Sequence, residues 1–160
     1  MGFRVAYRLD ILRSKRPTLV HCPKSNAKLA HGVARITDVK KTGISIGLGT
    51  DSVASNNVID MFEEMRPAIF QQRSRTQRWN ALDASTAFRM ATLGGAECLG
   101  LEKHLGSLDT GKRADFVVVN LNDPAMHPIY DPIQAMVYAA SRQSVRASVD
   151  GKSTRILRKS

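Results

Sequence analysis

Acidic residues, cysteines and aromatics are all scarce in this chain. Its 160 residues include 14 Asp and Glu against 24 Lys and Arg, with only two Cys, one Trp, three Tyr and five Phe. The two cysteines, Cys22 and Cys98, stand in unrelated settings and form no CxxC, which excludes a cysteine-rich zinc site. In the absence of an export signal they are expected to be reduced and buried. No apolar run approaches the roughly 20 residues that a membrane helix needs, and MGFRVAYRLD lacks the apolar core of a signal peptide. A cytoplasmic location without membrane association is therefore expected. There is no internal repeat and no low-complexity linker. The net charge of +10 is of the kind nucleic-acid surfaces carry. However, the basic residues gather near the two ends, RVAYRLDILRSKRP and STRILRKS, and in QQRSRTQR, with no regular interleaving of aromatics. Solvated faces account for them, and nucleic acid is not the expected partner.

What is present is an ordinary globular mixture, 42% hydrophobic and 24% charged, with length enough for one buried core. Residues 1–16 are basic and weakly patterned, and no element is assigned there. PTLVHCP reads as a short strand closed by Pro23, SNAKLAHG as a polar turn, 33–41 as a short helix stopped by Gly43, and 44–49 as a second strand. Ser55, Asn56 and Asn57 are candidate caps for a helix through VIDMFEEMRPAIFQQ, which sets Met61, Phe62, Met65 and Ile69 on one face. Pro67 predicts a kink or break inside it. A further helix is expected from about Ala84, capped by Ser85 or Thr86 and weakened in its middle by Gly94 and Gly95. LDTGKRADFVVVN reads as a turn and a strand. DPIQAMVYAAS reads as a helix capped by Asp131 with Pro132 in the first position. SVRASVDGKSTRIL predicts a hairpin turning on Asp150 and Gly151. The order is α/β at first, with a small β element at the end. Two strand–helix units cannot close a barrel and would leave apolar sheet edges open.

One stretch, ISIGLGTDSVASNN at 44–57, sets a lone carboxylate, Asp51, at the end of a β-branched run. By spacing alone Asp51 could be a turn or helix-capping aspartate. Together with VHCPKSNAKLAHG, VIDMFEEMR, AFRMATLGGAECLGLEKHLGSLDTGKRADFVVVN and DPIQAMVYAA, the stretch resembles the C-terminal portion of the metal-dependent amidohydrolases. The branch it resembles contains S-adenosylhomocysteine and methylthioadenosine deaminases, guanine deaminase, and triazine chlorohydrolases and aminohydrolases. The resemblance runs over about residues 17–151. It implies the last two strands, with their helices, of a (β/α)8 TIM-like barrel plus part of a small β domain. Residues 1–16 become a basic leader outside the family, 17–105 a partial barrel, and 106–160 a return into the small β domain with a helix and a C-terminal hairpin. The implied activity is hydrolysis of C–N or C–Cl bonds, by deamination or dechlorination, on small-molecule heterocycles of purine, pyrimidine or triazine type. The implied cofactor is a divalent metal, zinc or iron. Asp51 falls at the family's strand-eight position, as metal contact and catalytic proton carrier. His21, Ser25 and Asn26 are implied to line the substrate pocket. Glu63 and Glu64 are expected at solvent or the core edge, His31, His104 and His127 on the surface, and Asp115 in a structural polar contact.

Absences matter again here. The family pattern includes an HxH pair from strand one, a strand-five histidine with a nearby acid, and a strand-six histidine, and none of these occurs in the sequence. A catalytic zinc takes about three protein ligands, so Asp51 by itself is not expected to retain the ion or to support turnover. A truncated or frame-disrupted product is the favoured origin. The alternatives left open are an interaction subunit completing a split barrel and a non-catalytic basic module that binds nucleic acid. Homo-oligomerisation also stays open.

Overall fold

The computed structural model describes residues 9–151 and 153–156. Residues 1–8 of the basic leader lie outside this set. The rest of the leader forms helix α1 (Leu9–Lys15), followed by strand β1 (Leu19–His21). Pro23 does more than close the strand, because it opens helix α2 (Pro23–Lys28). The fixed φ and missing N–H of proline suit a first helical turn, so the first half of the segment expected as a polar turn, residues 25–28, is helical. Helix α3 (Ile36–Lys40) and strand β2 (Ile46–Leu48) are shorter than the 33–41 and 44–49 segments that announced them.

β1 and β2 pair in parallel, with Leu19 opposite Ile46 and His21 opposite Leu48. Parallel neighbours need a crossover, and α2 and α3 supply it. All three residues of β2 are buried, as befits a parallel strand covered on its faces. Its cover is partly glycine-dependent. Helix α4 (Val53–Asn56) and the long helix α5 (Met61–Thr76) are followed by α6 (Ala84–Ala91) and α7 (Leu93–Cys98). The last two are separate helices, broken at Thr92, where φ −121° and ψ −98° leave the helical region. The break lets α7 lie against β2 so closely that a Cβ on Gly94 would sit 2.4 Å from the Ile46 carbonyl oxygen.

The caps differ from those expected. Asp60, not the Ser55–Asn57 cluster, caps α5, accepting from the amides of Phe62 (2.9 Å) and Glu63 (3.4 Å). Asp83, not Ser85 or Thr86, caps α6 through the Thr86 amide at 2.7 Å. In both cases a carboxylate one residue before the helix outcompetes the hydroxyls and amides nearby, as the partial positive charge of a helix N-terminus favours. Pro67 does not break α5, which continues to Thr76. The helix buries Glu64, Met65, Ala68, Ile69 and Gln72, and that packing outweighs the lost hydrogen bond.

The chain then forms strand β3 (Asp115–Val119), helix α8 (Pro132–Ala139), and strands β4 (Val145–Asp150) and β5 (Thr154–Ile156), an antiparallel sheet ordered β3-β4-β5. Asp131 caps α8 as expected, accepting from Ile133 and Gln134 amides at 2.8 and 3.0 Å. Asp150 is the last residue of β4 rather than part of the turn, and Ser153 closes onto its carboxylate through amide and hydroxyl. α8 is tied back to α5 by Arg66, which donates to the Ala140 carbonyl at 2.8 Å, and by stacking of Phe70 on Tyr138. One core results, with Ile36, Val39, Ile46, Leu48, Met65, Ile69, Leu82, Met90 and Val137 buried together. The fold is thus mixed α/β, with its β-rich part late in the chain. Among the described residues no helix is long and apolar enough to cross a membrane.

Candidate functional site

Asp51 follows β2 by three residues and takes a left-handed backbone, φ +61°. Aspartate tolerates this region better than most residues because its short polar side chain can bond locally. Its Oδ1 accepts from the Ser52 amide at 2.8 Å and its Oδ2 from the Ser25 hydroxyl at 2.6 Å. The Ser25 hydroxyl, then Ser55 and the Ser52 amide, hold the Asp51 carboxyl below the usual carboxylate range. The side chain is exposed, so an ionised carboxylate faces solvent at the C-terminal end of the parallel pair. Ligand sites of α/β sheets form at such strand ends.

Ser25, buried on α2, is therefore in direct contact with Asp51. Asn26 is its half-buried neighbour on the same helix. His21 lies differently. It is 3% exposed, its Nε2 has no partner among the described residues, and burial pushes its imidazole down to about 4. A neutral, desolvated imidazole at the end of β1 is the result. His31, His104 and His127 are exposed, and Asp115 pairs with Arg113 at 3.4 Å. Cys22 and Cys98 are free thiols but only half-buried, short of the burial expected. Desolvation, then the nearby Asp51 and Glu64 carboxylates, raise the Cys22 thiol.

Two residues of this region escaped the sequence reading. Glu64, expected at solvent or the core edge, is fully buried. Asn56, expected as a helix cap, instead donates through Nδ2 to Glu64 Oε1 and to the Thr50 carbonyl, both at 2.6 Å. Glu64 Oε2 also accepts from the Lys24 amide at 3.3 Å. Desolvation raises the Glu64 carboxyl despite these bonds. The signal that marks Glu64 is periodic: Glu64, Ala68 and Gln72 recur every four residues and all are wholly buried. Glu63, by contrast, pairs with Lys24 near the surface.

The donor set does not fit a metal ion. Among the described residues no three His, Cys, Asp or Glu side chains converge, and one carboxylate cannot replace an ion's hydration shell. A cavity of about 400 Å³ lies elsewhere, between α3 and the end of α5, lined by Thr37, Lys40, Thr76 and Arg78 among others. It contains none of the residues around Asp51.

Comparison with known proteins gives the arrangement its context. A 5-methylthioadenosine/S-adenosylhomocysteine deaminase of Pelotomaculum thermopropionicum is 45% identical over 137 residues, 86% of this chain and 31% of the relative. An adenosine deaminase from Xanthomonas campestris, solved with bound zinc, is 34% identical and matches with a TM-score of 0.90 over 98% of this chain and 36% of that one. An atrazine chlorohydrolase from Arthrobacter aurescens, complexed with zinc, is 25% identical with a TM-score of 0.86 over 92% and 33%. The chain thus spans about a third of the length of the curated relatives it matches. The amidohydrolase family profile matches residues 5–152, which takes in most of the basic leader that the sequence reading placed outside the family. The chain belongs to the amidohydrolase family.

Proposed function

We propose that these residues form the Asp51 side of a hydrolase that cleaves C–N bonds of small heterocycles, with deamination of a purine nucleoside or base as the leading reaction. The observation that carries this reading is the ionised carboxylate at the C-terminal end of the parallel pair, held by Ser25 and Ser52 and open to solvent. In the reaction, water adds to the electron-poor ring carbon, and Asp51 takes its proton. Asp51 then returns that proton to the amine, the C–N bond breaks, and ammonia leaves. A carboxylate held below its usual range is a weak base toward bulk water. The water it serves must therefore be made more acidic by groups beyond those described. Likeness to zinc-bound enzymes supports a (β/α)8 barrel whose final strands are β1 and β2, with metal ligands on other strands.

Two measurements test this. The purified chain, incubated with zinc or iron, is expected to hold far less than one metal per chain. It is also expected to release no ammonia from S-adenosylhomocysteine, methylthioadenosine, guanine or hydroxytriazines. A chimaera that replaces the matching third of the Pelotomaculum deaminase with residues 17–151 of this chain is expected to deaminate, and Asp51→Asn in that chimaera to stop turnover. A folded, metal-loaded chimaera without activity would overturn the reading.

A further inference from the structure

Beneath Asp51 lies a carboxylate that the reaction itself does not use. Glu64 is wholly buried on the first turn of α5, and among the described residues none of its bonds is to a cation. Burying a carboxylate is unfavourable unless hydrogen bonds replace its water, and a helix needed only for packing would carry an apolar residue there. The bonds it makes lead in two directions that meet again. One arm runs through Asn56 Nδ2 to the Thr50 carbonyl, the residue directly before Asp51. The other runs to the Lys24 amide in the first turn of α2, the helix that carries Ser25, whose hydroxyl bonds Asp51 Oδ2. Asp51 is therefore gripped from its backbone side and from its side-chain side by groups that share one buried acceptor.

We infer that Glu64 is the positioning residue for Asp51, acting through Asn56 on the 50–52 loop and through the Lys24 amide on Ser25. Glu64 and Asn56 touch neither water nor ring in this scheme. Their task is to keep the Asp51 carboxylate aimed while its backbone stays left-handed. The bearing on turnover rests on the hydrolase reading above, but the bracing itself does not.

The test reads the bond rather than the activity. In ¹H–¹⁵N spectra of the whole chain, the Ser52 amide proton reports its bond to Asp51 Oδ1, and Asp51→Gly gives the position it takes when that bond is absent. Glu64→Gln and Asn56→Ala are each expected to move the Ser52 signal most of the way to that position. Glu64→Gln alone should also move the Lys24 amide. Ile69→Val, equally buried on α5 but outside the network, is expected to lower the melting midpoint and leave the Ser52 signal in place. Asn56→Ala keeps the test alive if Glu64→Gln does not fold. The inference fails if the Ser52 signal stays put in the folded variants, or if Ile69→Val moves it as far. Either result leaves the hydrolase reading standing. An inactive chimaera with the shifts as expected leaves the brace standing instead.

Discussion

Gly94 and Gly95 are adjacent, chemically identical and both in α7, yet alanine should act on them with opposite sign. Helix propensity alone gives each substitution a gain of up to about 1 kcal/mol, because alanine loses less backbone freedom than glycine. Packing separates them. A Cβ on Gly95 would meet its nearest neighbour, the Met90 carbonyl oxygen, at 3.8 Å, an ordinary contact. A Cβ on Gly94 would lie 2.4 Å from the Ile46 carbonyl oxygen and 3.1 Å from that of Arg89, both of them backbone atoms. To restore 3.4 Å, α7 must retreat from β2 by about 1 Å, loosening the close approach of Gly47 to Gly95 as well. Overpacking of this kind costs about 1–3 kcal/mol. After the propensity gain, Gly94→Ala should destabilise by up to about 3 kcal/mol and Gly95→Ala should stabilise by up to about 1 kcal/mol. For a chain of this size that corresponds to a midpoint lowered by up to about 12 °C in the first case and raised by up to about 4 °C in the second. Thermal unfolding followed by far-UV circular dichroism reads both. Shifts in the same direction for the two variants would refute the claim that α7 sits on β2 at backbone contact.

Three further outcomes are expected. His21 is neutral in the fold, its pKa lowered from 6.5 to about 4 by burial. Below 6.5 the unfolded chain binds the proton first, so stability should fall by up to about 3 kcal/mol as pH drops from 6.5 to 4. Urea unfolding across that range measures this, and His21→Gln should flatten it. Asp131→Ala removes the acceptor of two α8 amides and should cost about 1 kcal/mol in the same assay. In Ser25→Ala the strongest support of the depressed Asp51 carboxyl is lost. Its stabilisation is present at neutral pH and lost as pH falls through the folded pKa. A ¹³C titration should therefore place that loss at a higher pH in the variant than in the parent.

The sequence announced elements better than their ends. Asp131 with Pro132 marked α8 correctly, because a cap and a first-turn proline act locally. The same local logic failed at Asn56, whose amide is taken by a buried carboxylate eight residues ahead. No cap rule encodes that distance. Pro23 misled for a related reason, since a proline that closes a strand also starts a helix well, and only the continuation of the chain decides. Asp51 and Ser25 were singled out by family resemblance, but their contact at 2.6 Å required the crossover that brings α2 beside the end of β2. Glu64 was hidden because one face of α5 mixes apolar and ionisable residues, and amphipathic reasoning assigns the latter to water.

The left-handed turn at Asp51 also governs how the residue should be interrogated. Alanine there would delete the carboxylate and at the same time ask a Cβ-bearing residue without local hydrogen bonds to hold φ +61°, a conformation about 1–2 kcal/mol unfavourable for L-residues. In the chimaera, an inactive alanine variant would thus confound lost chemistry with a distorted loop. Asparagine preserves the shape while removing the charge, and glycine relaxes the backbone while removing the side chain. Only that pair divides what the carboxylate does from what its unusual perch requires.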